Sequence, residues 1–300
     1  MNIKIYEMFM RDGLQSLNKI YSLQTKLKFM NLLNKCNFYC IEFGSTTSPK
    51  LLPQMANSYE LFDLTCKNLH TKYTMLVPSY NHIQKTLDKN INSFGLVCSV
   101  SEVFAQKNLK KTSNETFDNV VEQIELLTNN KKNLHIRVYL SCSFGSPWEN
   151  FNMEYFNKIE KYINNLIEIA KKKNIQSNNF DIVISDTVGL SNHKRTSEIM
   201  KIINDNINNK DVEYLATHIH SKEDEFYNVI NNCIKNNIVK FDSSIAGIGG
   251  CPFAEDKALG NISTVKLIEF LNSNFYYCSY DEYKTICDVE KEIKQLLLTE

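Results

Sequence analysis

The chain has 300 residues, 43% of them hydrophobic, enough to bury one large core or two small ones. Its 34 basic residues balance its 34 acidic ones, so it lacks the basic footprint of a nucleic-acid binder and any polybasic membrane patch. The nine cysteines form no C-x-x-C pair, which argues against a disulfide framework or a structural zinc site and for a reducing compartment. No apolar run reaches membrane-spanning length, and the first candidate strand starts too close to Met1 to leave room for a signal or transit peptide. The expectation is a cytoplasmic protein. No linker, charge block or low-complexity tract divides the sequence, so residues 1–300 read as a single domain, with a barrel over about 1–275 and a helical segment over about 280–300.

Short β-rich runs alternate with longer stretches of helical period. The candidate strands are Ile3–Phe9, Tyr39–Gly44, Lys72–Val77, Phe94–Val100, Leu134–Ser141, Phe180–Asp186, Tyr214–His220 and Lys240–Ile245. Most are apolar with little strict alternation, as strands covered on both faces are. Between and after them, helical period marks Thr25–Cys36, Tyr59–Asn68, Ser113–Leu127, Tyr155–Lys173, Lys194–Asn206, Lys222–Asn236 and Thr264–Asn272. Eight such alternations predict an α/β fold, a (β/α)8 TIM barrel with parallel strands. The rival is a doubly wound open sheet, whose dinucleotide version would need a glycine-rich loop after the first strand. None is present there. The last segment, Tyr283–Leu298, reads as an amphipathic helix with Ile286, Val289, Ile293 and Leu297 on one stripe, suited to capping the barrel or to a dimer interface.

Function in such a barrel gathers where strands end and βα loops begin. The first strand runs into Arg11-Asp12-Gly13-Leu14-Gln15, the second carries Glu42 into Gly44-Ser45-Thr46, and the sixth ends in Ser185-Asp186-Thr187. The seventh ends in His218-Ile219-His220, and the eighth opens into Gly247-Ile248-Gly249-Gly250-Cys251-Pro252. Glycines that tolerate positive φ let this last loop approach a ligand and present Cys251. An isolated Gly-Gly-Cys is as readily a buried cysteine at a tight turn, and an isolated His-x-His is more often two polar strand residues. Context changes the balance, because residues i and i+2 of a strand share a face, so both imidazoles can meet one ion. Asp12 and Asn261 lie on neighbouring strand ends of a closed barrel. Two nitrogens and two oxygens suit Mg²⁺ or Mn²⁺ better than a closed zinc site. His70, His82, His135 and His193 have no such setting and read as surface or structural residues.

These motifs together resemble the 3-hydroxy-3-methylglutaryl-CoA lyase family of DRE-TIM metallolyases. Further stretches carry the likeness: Glu7, Ser48-Pro49-Lys50 through Pro53-Gln54-Met55-Ala56, Ser99-Val100-Ser101-Glu102, Lys107-Asn108, Ser141-Cys142-Ser143-Phe144-Gly145 and Pro252-Phe253-Ala254. The resemblance implies that Asp12, His218, His220 and Asn261 hold one divalent cation, that Arg11 and Cys251 are catalytic, and that Asp186 and Glu42 stand beside them. Gln15 becomes a candidate for substrate contact, and Lys50 and Lys107-Asn108 become candidates for contact with the CoA phosphates, the alternative for these last being solvated loop charge. The implied reaction is retro-Claisen cleavage to acetyl-CoA and acetoacetate by an acyl-CoA lyase, expected as a homodimer. Alternatives are a related lyase or condensing enzyme acting on another 3-hydroxy acid or its thioester, and a barrel that binds CoA-like ligands without turnover. Two departures bear on this. Asn261 follows Cys251 by ten positions where the family usually has nine, so one residue must loop out, and Ser263-Thr264-Val265-Lys266 replaces the family's Thr-Glu-Asp segment.

Overall fold

Eight parallel strands close on themselves in chain order in the computed structural model, which describes residues 2–220, 223–250, 259–275 and 277–300. They are β1 (Lys4–Glu7), β2 (Cys40–Ser45), β3 (Lys72–Leu76), β4 (Ser93–Ser99), β5 (His135–Ser141), β6 (Phe180–Ser185), β7 (Leu215–His218) and β8 (Lys240–Ser243). Closure is made where β1 pairs with β8, Lys4 opposite Lys240 through Glu7 opposite Ser243. The TIM barrel expected from the alternation is the observed architecture. Cys251 lies outside the described residues, and no described helix is long and apolar enough to cross a membrane.

Around the strands run α1 (Leu23–Leu33), α2 (Ser58–Leu64), α3 (Tyr80–Thr86), the single turn α4 (Glu102–Phe104), α5 (Ser113–Asn130), α6 (Met153–Lys172), α7 (His193–Asn206), α8 (Glu223–Lys235), α9 (Thr264–Phe275) and α10 (Tyr280–Thr299). Five of their starts are set by side chains that accept from otherwise orphaned amides: Ser22 for α1, Asn152 for α6, Asn192 for α7, and capping boxes of Thr112 with Glu115 and Ser279 with Glu282 for α5 and α10. α3 is an addition to the helices read from sequence. It spans only seven residues and buries only Ile83 and Thr86, too little to impose a period. α10 buries Ile286, Val289 and Ile293, packs on α1, and is tied to the segment leading into α1 by Tyr21 Oη donating to the Leu297 carbonyl, 3.2 Å.

The strands are less uniformly apolar than a doubly covered sheet requires. Along β5, Ile136, Val138 and Leu140 join the main core beneath the helices, while on the lumen side His135 bonds to Asp181 of the neighbouring β6 and Arg137 and Tyr139 reach across to β8 and β2. Lys240, Asp181 and His135 are linked within this polar interior: Lys240 Nζ lies 2.7 Å and His135 Nε2 3.0 Å from the Asp181 carboxylate. Burial, aided by the nearby Lys72 and Arg137 charges, pushes the His135 pKa down to about 4 against the pull of Asp181, leaving a neutral structural histidine, while Lys240, the His135 hydrogen bond and Arg137 hold Asp181 well below the carboxylate range despite its burial.

Candidate active site and metal centre

The C-terminal ends of β1, β2, β7 and β8 and the chain that follows them supply one cluster. β1 stops at Glu7, two residues short of the strand read from sequence, and Phe9–Gly13 winds into a π-type turn. The difference matters because neighbours on a strand face opposite ways. On this turn the side chains of both Arg11 and Asp12 reach the centre, and both are buried. β2 carries a register shift between Glu42 and Gly44. Such a bulge re-aims side chains beside a site, and Glu42 accepts from Arg11 Nε at 2.6 Å and Nη2 at 2.5 Å. Gly95 of β4 makes room for that carboxylate, since a Cβ there would lie 2.9 Å from Glu42 Oε1.

Asp12 is the hub. Its Oδ1 accepts from Arg11 Nη1 at 2.5 Å and Gln15 Nε2 at 2.9 Å, and its Oδ2 accepts from Asn261 Nδ2 at 2.7 Å and the Gly250 amide at 3.3 Å. Burial alone would raise its pKa; Arg11, the two histidines and the Asn261 hydrogen bond override that and hold it well below the usual range. Glu42 goes the other way, its pKa raised by complete burial against the pull of Arg11. Asn261 thus reaches the cluster in spite of the ten-position interval. In this arrangement its amide nitrogen faces Asp12 and the Ile248 carbonyl, 3.1 Å away, so ligation through its oxygen requires the amide to turn over.

His218, the last residue of β7, and His220 point their Nε2 atoms at one another, 3.0 Å apart. The opposite ring atoms are engaged: His218 Nδ1 with Asp242 Oδ2 at 3.1 Å, and His220 Nδ1 with the Gly260 carbonyl at 3.2 Å. Burial lowers the affinity of His218 for a proton, but Asp242 and Asp12 outweigh it and the pKa is raised; His220 is lowered by burial and by His218. Two ring lone pairs meeting beside a carboxylate repel unless a cation or a shared proton lies between them. Ligand atoms at right angles on an ion with bonds of about 2.1 Å are separated by about 3.0 Å, so the spacing fits a divalent cation. Among the described residues, the metal-capable atoms of Asp12, His218 and His220 all lie within 4.8 Å of one another.

The remaining sequence candidates are spread more widely. Asp186 follows β6 and is buried, with both oxygens accepting backbone amides, Leu190 at 2.7 Å and Ser191 at 2.9 Å. Lys50 is exposed in the loop after β2. Asn108 follows β4 and donates to the Phe104 carbonyl at 3.2 Å. Val265 packs against the core and Lys266 is exposed.

The sequence model of the HMGL-like family matches residues 2–293. The chain belongs to the HMGL-like family. The match, together with relatives named as hydroxymethylglutaryl-CoA lyases, supports a carbon–carbon lyase. Among similar proteins, the 3-hydroxy-3-isohexenylglutaryl-CoA/hydroxy-methylglutaryl-CoA lyase of Pseudomonas aeruginosa is 25% identical over 90% of this chain and 85% of its own. The mitochondrial hydroxymethylglutaryl-CoA lyase of Pongo abelii is 28% identical over 90% of this chain and 78% of its own. The HMG-CoA lyase structure from Brucella melitensis superposes with a TM-score of 0.83 at 24% identity, covering 98% of this chain and 99% of that one, a likeness of fold.

Four residues of this HMGL-like centre escaped the motif reading. Asp242 and Arg137 stand behind His218, with Arg137 Nη2 2.5 Å from Asp242 Oδ1. Tyr139 donates to Glu42 Oε1 at 3.1 Å and sets its ring edge-on to His218. Glu7, quoted above only as part of the resemblance, underpins the loop stem: Oε1 accepts the amides of Phe9 and Ile245, each at 2.9 Å, and Oε2 accepts Thr264 Oγ1 at 2.6 Å. For Arg137 and Tyr139 the alternation His135-Ile136-Arg137-Val138-Tyr139-Leu140 was the available signal, since polar residues at every second position of a barrel strand mark its lumen face.

Proposed function

We propose that the protein is a divalent-cation-dependent lyase that cleaves 3-hydroxy-3-methylglutaryl-CoA to acetyl-CoA and acetoacetate. The observation that carries the reading is the meeting of Arg11, Asp12, Glu42, His218, His220 and Asn261 at one barrel mouth in an HMGL-like chain. Asp12, His218 and His220, with Asn261 after its amide turns, would hold Mg²⁺ or Mn²⁺. Such an ion, when bound, lowers the pKa of a hydroxyl it contacts as a Lewis acid. Arg11, fixed between Glu42 and Asp12, offers a permanently charged donor to the thioester oxygen. The C3 hydroxyl loses its proton, the C2–C3 electron pair passes into the thioester enolate, C3 becomes the ketone of acetoacetate, and C2 takes a proton. Cys251 is the proposed donor of that last proton. Asp186 is the proposed acid–base partner at the hydroxyl. Its charge acts on His220, and its two backbone hydrogen bonds favour a role through that ring. Gln15, Lys50 and Asn108 are the proposed substrate contacts, the thioester chain crossing the loops after β2 and β4.

The test is cleavage of the thioester by purified protein after chelation and after Mg²⁺ or Mn²⁺ is restored, beside Cys251→Ala and His220→Ala. Metal-dependent acetoacetate release that both substitutions abolish is the expected result. Absence of cleavage by the metal-loaded protein sinks this substrate. A second reading, a thioester with a larger C3 substituent, draws on Val265 and Lys266 replacing acids and on the relative named for an isohexenyl substrate; faster turnover of that analogue would select it. A cytoplasmic homodimer completes the proposal. None of the eight described cysteines is in a disulfide, in keeping with a reducing compartment, and relatives carry both cytoplasmic and mitochondrial names. Sedimentation at micromolar concentration tests the dimer.

A further inference from the structure

Arg137 is the largest fully buried side chain of the molecule among the described residues, and it does not touch the proposed ligand set. From β5 it reaches across the lumen to β8, which is not its neighbour in the barrel. Its guanidinium lies over the Tyr6 ring, 3.7 Å from the centroid, and Nη2 holds Asp242 Oδ1 at 2.5 Å. Nε is 3.9 Å from Asp181, and neither Nε nor Nη1 has a hydrogen-bond partner in this structure. A buried ion pair with unpaired donors is a poor way to gain stability, since apolar residues of similar volume commonly serve as well or better. What the pair does supply is orientation. With one Asp242 oxygen clamped by Arg137, the other is left at 3.1 Å from His218 Nδ1.

We propose that Arg137 is a positioning residue for the metal centre: it clamps Asp242, and Asp242 locks His218 with its proton on Nδ1 and its Nε2 aimed at the cation. The inference rests on reading the centre as a divalent-cation site. A carboxylate behind a ligating histidine fixes tautomer and ring orientation, and losing it typically costs about 10–100-fold in metal affinity. His220 obtains the same service from the Gly260 carbonyl, a backbone group with no side-chain torsion to clamp. A carboxylate does, because it can rotate about its own bond.

The experiment uses the full chain, Arg137→Met, and the double variant Arg137→Met/Asp242→Leu, which removes both charges and keeps the fold testable where the single change leaves Asp242 unpaired. Three quantities are read: Mn²⁺ affinity from the free-ion EPR signal, the His218 tautomer from long-range ¹⁵N–¹H spectra of the metal-free and Mg²⁺-bound protein, and the melting temperature in chelator. We expect both variants to bind Mn²⁺ about 10–100-fold more weakly and to lose the single Nδ1–H form of His218, while the double variant melts near the wild type. Unchanged affinity and tautomer with a lowered melting temperature overturn the proposal and leave Arg137 as charge balance in the core. If the wild type binds no Mn²⁺, the cation reading fails by itself. The tautomer comparison then still decides whether Arg137 positions His218.

Discussion

The Glu7 carboxyl is completely buried, and burial, against hydrogen bonds from Thr264, Ile245 and Phe9, raises its pKa from 4.5 to about 7. Between those values the folded chain binds a proton that the unfolded chain does not, so stability is greatest below the lower value and falls as pH rises through the window. At about 1.4 kcal/mol per unit the loss is of order 3 kcal/mol by pH 7. In Glu7→Gln the amide oxygen keeps the Phe9 and Ile245 amides and its NH₂ faces Thr264. The melting temperature of that variant is expected to vary less between pH 4.5 and 7; an unchanged slope would place the titration elsewhere. Arg11→Lys keeps the charge but not the fork that meets Glu42 and Asp12 at once. Steady-state kinetics should show kcat reduced about 10²–10³-fold, and a value within threefold of wild type would remove Arg11 from the chemistry.

At the scale of elements, the loop after β8 is held by its neighbours at close quarters. Gly249 has φ of +149°, and a Cβ there would lie 1.8 Å from Asn261 Nδ2 and 2.8 Å from Asp12 Oδ2. Gly249→Ala is therefore expected to displace Asn261 from Asp12, weakening Mn²⁺ binding and activity together by at least tenfold, with a much smaller effect on the melting temperature. Retained metal affinity would show that the loop relaxes at no cost. The stem of the same loop is pinned from two sides, the Ile245 amide by Glu7 and the Ala246 amide by Glu290 of α10 at 3.1 Å. α10 thus reaches the site indirectly, a link its apolar stripe did not disclose. That stripe was legible because period 3.6 shows in one helix alone. The pins were not, because each joins residues more than 40 positions apart.

For the whole molecule, a barrel closed by β1 on β8 ties the first strand to the last, and α10 packs back on α1. We expect residues 1–300 to unfold in a single calorimetric transition, with van't Hoff and calorimetric enthalpies equal. Two resolved transitions would divide the domain. The sequence by itself determined the barrel, through the count and rhythm of its alternations, and the candidate residues at strand ends, because local periods and local motifs are carried by neighbours along the chain. Its period of two also led to the expectation that His218 and His220 share a face; the rings do meet, though β7 itself ends at His218. Only the tertiary structure decided that β1 ends in a turn bringing Arg11 and Asp12 to one point, that Asp242 and Arg137 stand behind His218, and that Glu7 and Glu290 pin the glycine loop. Each of those contacts depends on strand register and barrel closure. Closure is a property of all eight strands at once and leaves no local mark in any one of them.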